Sequence, residues 1–180
     1  MLRLILWIAA GFVVCAALLF VPLPWPDAWL SGHIVNRIEV AAPPQRVFAY
    51  VATPANWPRW HPASRAVRGV VDRTPAVGQS VVETFEVAGR RDEATWTTIE
   101  LNPPRRWAFA AASTGGGSAR IVYTLTPKDG GTLFERDVTY RGPNLLFALL
   151  NTFKIRAVME SDSFKALENI KRDVEAMRTE

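Results

Sequence analysis

The chain has 180 residues, 49% of them hydrophobic, and a formal charge of +4 from 21 Lys and Arg against 17 Asp and Glu. That is room for one domain with a real core. The basic residues are scattered among acids, which excludes the charged stripe of a nucleic-acid binder, and the single cysteine, Cys15, excludes an intrachain disulfide or a cysteine metal site.

Leu4 to Val21 is an uninterrupted apolar run of 18 residues, with Arg3 the only charged side chain ahead of it. About 20 residues usually span a bilayer. No small-x-small cleavage site precedes Pro22, Pro24 and Pro26, and no small residue stands just before Cys15 as a lipoprotein box requires. Residues 1–22 therefore read as an uncleaved transmembrane anchor, with Trp7, Trp25 and Trp29 suited to the two interfaces. Positive charge ahead of the span and none behind it before Arg37 places the domain on the extracytoplasmic side of the cytoplasmic membrane. Residues 23–33 form a stiff, proline-rich spacer that holds a solvated His33. The folded domain then occupies residues 34–180.

Val35 to Val40 alternates as a first strand. Pro43-Pro44 opens a short helix with Val47, Phe48 and Val51 inward, and Thr53-Pro54 ends it. Asn56-Trp57-Pro58-Arg59-Trp60-His61-Pro62 is held by its prolines as a tight bend or one helical turn. Six further strands are expected at Ser64–Val71, Ser80–Ala88, Ala94–Leu101, Arg106–Ala112, Ala119–Thr126 and Thr132–Tyr140. Turn chemistry at Gly89 to Asp92, Asn102 to Pro104, Thr114 to Gly117 and Asp129 to Gly131 separates the later ones. Such short connections make neighbours antiparallel.

Leu145 to Leu150 is apolar on every face, and Asn144 can cap it. It reads as a core-facing first turn, or as a lid resting on a bilayer with Lys154 and Arg156 against lipid phosphates. A long helix follows from Thr152 to Arg178, about 40 Å at helical rise. Its apolar stripe is Ile155, Met159, Ala166, Leu167, Ile170, Val174 and Met177. Its outer face pairs Glu168 with Arg172 and Lys171 with Glu175. The fold class is α+β: a curved, seven-stranded antiparallel sheet buries one face under the long helix. The small Ser163 and Ala166 at the middle of that helix leave room for a cavity beneath it.

The stretch Val40-Ala41-Ala42-Pro43-Pro44-Gln45-Arg46-Val47-Phe48-Ala49-Tyr50-Val51 resembles the opening of the START-like, Bet v 1-like (SRPBCC) superfamily. Within it, Asn56 to Pro62 is similar to the polyketide cyclase/dehydrase group, and Pro75-Ala76-Val77-Gly78 before the strand pairs also fits. The resemblance covers Ile34 to the C-terminus, not the anchor, and implies a helix-grip fold with a cavity for a hydrophobic ligand. Gln45 stands where an acid is common, and Thr53 where Asp is common.

Strand parity nominates the lining. Val81, Glu83, Phe85 and Val87 share one face; Phe134, Arg136, Val138 and Tyr140 share another; so do Trp107, Phe109 and Ala111, and Ile121, Tyr123 and Leu125. If these faces line the cavity, Glu83 and Arg136 are buried charges that pair with each other or meet a polar ligand group. The expected binding set is Trp60, His61, Glu83, Phe85, Trp96, Phe109, Tyr123, Arg136, Tyr140 and Ala166. Glu83, Arg136 and His61 are also the catalytic candidates. No cofactor or metal is expected: the two histidines have no acid at ligand spacing, the glycines at 115–117 open no helix, and no nucleophile motif occurs. The expectation is a membrane-anchored protein binding a hydrophobic small molecule or lipid. The alternatives are a polyketide cyclase/dehydrase-like enzyme, or an interaction module whose cavity is filled by its own side chains.

Overall fold

The computed structural model describes residues 1–21 and 23–177. Pro22, at the expected end of the anchor, and Arg178, at the expected end of the long helix, lie outside the described residues. The elements are α1 (Leu2–Leu18), α2 (Asp27–Leu30), β1 (Ser31–Val40), α3 (Pro44–Val51), α4 (Trp57–Trp60), β2 (Ser64–Gly69), β3 (Ser80–Val87), β4 (Arg90–Asn102), β5 (Arg106–Ser113), β6 (Ser118–Lys128), β7 (Gly131–Arg141), α5 (Leu145–Leu150) and α6 (Arg156–Ala176).

Helix α1 is apolar and exposed all round, with Leu4, Trp7, Phe12 and Val14 each more than half accessible. It stops at Leu18, four residues before the end expected for the anchor. Its 17 residues reach about 25 Å, against a hydrocarbon core of about 30 Å. Among the described residues no helix is long and apolar enough to cross a membrane, which corrects the expected spanning helix. The cause is local. The Leu19 and Phe20 amides donate three residues back, to Ala16 and Ala17, which tightens the last turn, and the Leu19 carbonyl accepts from the Leu146 amide at 2.9 Å.

The seven strands form one sheet in the order β1-β7-β6-β5-β4-β3-β2, antiparallel throughout. Strand β1 begins at Ser31, so residues 31–33 belong to the sheet and not to a spacer: Ser31, Gly32 and His33 face Arg141, Tyr140 and Thr139 of β7. His33 is exposed there, its Nε2 2.9 Å from Asp137 Oδ1. Gly32 is required by close approach, because a Cβ would sit 2.2 Å from the Tyr140 ring. The β3–β4 connection is tighter than expected. Ala88 and Gly89 both take positive φ, 54° and 82°, the geometry of a two-residue hairpin turn, so Arg90 to Asp92 join the strand. Register shifts in β2 at Ser64/Ala66 and in β4 at Thr98/Glu100 add the bends that curl a sheet.

The C-terminal helix starts earlier than expected. α5 runs through a π-helical turn, Asn151–Ile155, into α6, and Asn144 Oδ1 accepts from the Phe147 amide at 3.0 Å as the expected cap. Ala166, Leu167, Ile170 and Val174 of the stripe are buried. Met177 is not; it lies past the helix end and is 46% exposed. Lys171 and Glu175 pair at 3.3 Å, whereas Arg172 turns to Asp173 and Asn169 in place of Glu168. Helix α6 lies against β1, α3 and α4. That places the long helix across the concave side of the sheet, as a helix grip requires.

Candidate ligand cavity

Between the sheet and the C-terminal helices lies a cavity of 610 Å³. Its inner wall is aromatic. Trp57 stacks on Phe109 at 5.7 Å, and Phe109 meets Trp96 and Tyr123 edge to face, each at 5.2 Å. Pro58 in the first turn of α4 pre-sets the helical φ, and the His61 amide closes the turn on the Trp57 carbonyl at 2.8 Å. This one turn therefore delivers Trp57, Trp60 and His61 to the same wall. Phe20, Leu146, Phe147, Leu150, Ile155 and Met159 line the helical side.

Nine of the ten expected binding residues reach this wall: Trp60, His61, Glu83, Phe85, Trp96, Phe109, Tyr123, Arg136 and Tyr140. Ala166 does not. It is completely buried and absent from the lining, so its small size serves close packing of α6 and not an opening. Trp57 and Asn36 are the site residues that sequence reasoning missed, and Ser163, expected only as a small residue leaving room, bonds Arg136 instead. Asn36 was legible in principle, because it shares the inward face of β1 with Ile34.

Two polar groupings sit among the aromatics. Arg136 Nη1 donates to Ser163 Oγ at 2.8 Å, and Ser163 Oγ donates on to Asn36 Oδ1 at 2.5 Å. Arg136 Nη2 lies 3.2 Å from His61 Nε2, and the Tyr123 hydroxyl faces the same guanidinium. Glu83 is turned elsewhere and accepts from Trp96 Nε1 at 2.8 Å. The two buried charges therefore form no ion pair with each other. Burial pushes the Glu83 carboxyl up, against the pull of the Ser64 hydroxyl, the Trp96 hydrogen bond and the Arg136 charge; the Ser64 hydroxyl acts by proximity, since its geometry makes no hydrogen bond. Burial, and then the Arg136 charge, holds His61 well below its usual range. Burial pushes Tyr123 up to about 12. A neutral imidazole beside a buried guanidinium and a protonated phenol can hold a carbonyl or oxyanion in an otherwise greasy chamber. Among the described residues no group of three His, Cys, Asp or Glu side chains could hold a metal ion.

The geometry agrees with comparisons to known proteins. The profile of the family described as polyketide cyclase / dehydrase and lipid transport matches residues 31–175. The Mycobacterium tuberculosis protein named Toxin Rv0910 is 24% identical over 142 residues, covering 79% of this chain and 94% of the relative. Among solved structures, the Zhui aromatase/cyclase from a Streptomyces species is similar at a TM-score of 0.66 and 19% identity, over 81% of this chain and 94% of that one. The structure of Ara h 8.0201 is similar at 0.57 and 14%, over 81% and 99%. At such identities these structures carry the fold alone. The match over residues 31–175 spans strand β1 through nearly all of α6, and the chain belongs to the polyketide cyclase / dehydrase and lipid transport family.

Proposed function

We propose that the protein is a membrane-anchored binder of a hydrophobic small molecule or lipid, held in the cavity between the sheet and the C-terminal helices. The observation that carries this reading is the cavity itself: 610 Å³ with mostly aromatic and aliphatic walls, inside the range of about 300–1,000 Å³ usual for small-ligand sites. A module packed with its own side chains does not fit that space. Membrane attachment is supported by the exposed apolar surface of α1 and by where that helix is rooted. Phe20 lines the cavity, and the Leu19 carbonyl is bonded to Leu146 on the same wall. Leu149, Leu150 and Phe153 add exposed apolar surface in the adjoining helix. A ligand moving along α1 from a bilayer would meet the cavity lining directly.

The test is mass spectrometry of what co-purifies with the full chain from native membrane. A hydrophobic compound near one per chain is expected. A bare protein that also ignores a hydrophobic fluorescent probe refutes the reading. Release of the chain from membranes by high salt alone would overturn the anchor.

A cyclase-like enzyme is the second reading, favoured by the convergence of His61, Arg136 and Tyr123 on one region of the cavity. A neutral His61 can take a proton, and Arg136 can stabilise an enolate oxygen. Cyclisation of a linear poly-β-ketone, lost in His61→Gln, would select this reading over simple binding.

A further inference from the structure

The buried polar groups of the cavity do not balance. Arg136 brings five N–H donors. One meets Ser163 Oγ, whose own hydrogen is committed to Asn36, and another faces the Tyr123 hydroxyl. Nε is buried and has no partner. Trp60 Nε1, on a cavity-lining residue, is likewise buried without an acceptor. His61 relieves this only in part. Its Nδ1 accepts from the Ala63 amide at 3.2 Å, while its Nε2 faces Arg136 Nη2. A neutral imidazole has a single acceptor nitrogen, so one of those two donors is always left facing an N–H or nothing. Among the described residues Arg136 forms no ion pair, and the other buried charge of the cavity, Glu83, is hydrogen-bonded to Trp96. The wall around Arg136 is thus short of acceptors, and among the described residues no carboxylate of the lining forms an ion pair with this cation. Such a deficit costs stability unless something supplies oxygen and negative charge.

We infer that the cavity is built for an apolar acid, a molecule whose carboxylate is seated on Arg136 while its hydrocarbon body fills the aromatic chamber. The planar guanidinium matches a carboxylate, and charge-assisted hydrogen bonds of this kind are the strong ones. One monoanion offsets one buried cation. The carboxylate oxygens also accept the donor that His61 cannot serve. This inference rests on the cavity being a ligand site and specifies the head group that the site selects.

The experiment titrates the full chain, in mild detergent, with the fluorescent polyene cis-parinaric acid and with its methyl ester, which keeps the chain and removes the charge. The acid is expected to bind about 10- to 100-fold tighter than the ester. Arg136→Met should bring the acid's affinity down to that of the ester for the same protein, and Arg136→Lys should restore part of the preference. Equal affinity of the wild-type protein for acid and ester overturns the inference and leaves hydrophobic binding intact; this arm needs no variant to fold. A folded Arg136→Met protein that still prefers the acid overturns it as well. Failure of both probes to bind overturns the ligand-site reading and the inference together.

Discussion

Two alanines, one on the cavity wall and one off it, give the sharpest test of where empty space lies. Ala166 is completely buried and off the cavity wall. Ala111 is on the wall, its register partners Trp96 in β4 and Ala119 in β6. In Ala166→Phe a whole ring enters a closed contact between α6 and the sheet. Overpacking by less than a ring costs about 1–3 kcal/mol, so at least about 3 kcal/mol is expected here. At about 2–4 °C per kcal/mol for a domain of this size, Tm should fall by roughly 6–12 °C. In Ala111→Phe the same ring projects into 610 Å³ of space and displaces nothing. Its cost should stay under about 1 kcal/mol, while affinity for a hydrophobic fluorescent probe falls at least about tenfold as the ring occupies the site. Circular dichroism melts and probe titrations of the two full-length variants read both quantities. Wild-type stability in Ala166→Phe together with collapse of Ala111→Phe would reverse the positions of void and packed core, and would refute the reasoning.

Three further outcomes follow from buried polar groups and one close contact. Tyr123 holds its proton up to about pH 12 and an unfolded tyrosine to about 10. The unfolded chain therefore ionises first, and stability should fall between those values by roughly 1.4 kcal/mol per pH unit; urea melts should show the fall flattened in Tyr123→Phe. His61 is held well below its usual range, so the unfolded chain takes the proton first. Its contribution is full above about pH 6.5 and is lost on acidification; a Tm-against-pH profile should lose that acid limb in His61→Gln. Gly32→Ala puts a methyl group 2.2 Å from the Tyr140 ring, and the Tyr140 hydroxyl donates to buried Asn151 at 2.9 Å. A loss of about 1–3 kcal/mol is expected in denaturant melts, and an unchanged midpoint would mean the ring moves aside freely.

The sheet was readable residue by residue because half-buried antiparallel strands carry their geometry in a period of two. Phe134, Arg136, Val138 and Tyr140 had to share a face, and short turns rich in Gly and Asp left the neighbours no partner but each other. The same parity brought Glu83 and Arg136 to the cavity. It could not choose their partners. Whether they meet each other depends on side-chain directions across strands β3 and β7, which are four positions apart in the sheet order, and Trp96 and Ser163 claim them instead.

Where local signals are degenerate, only packing decided. The pairing of Ser31 to His33 came from the reach of β7, since a Ser-Gly-His stretch after prolines carries no strand signal of its own. The end of α1 was set by a hydrogen bond from Leu146, a residue more than a hundred positions away, and an apolar run alone cannot announce that. A small residue on a helix stripe reads equally as a gap or as a close approach. The amino-acid order determined that Ser163 and Ala166 both face the sheet. The tertiary structure decided that Ser163 bonds the buried guanidinium while Ala166, one turn on, lies in a closed contact, because the distance between helix and sheet belongs to no single segment of the chain.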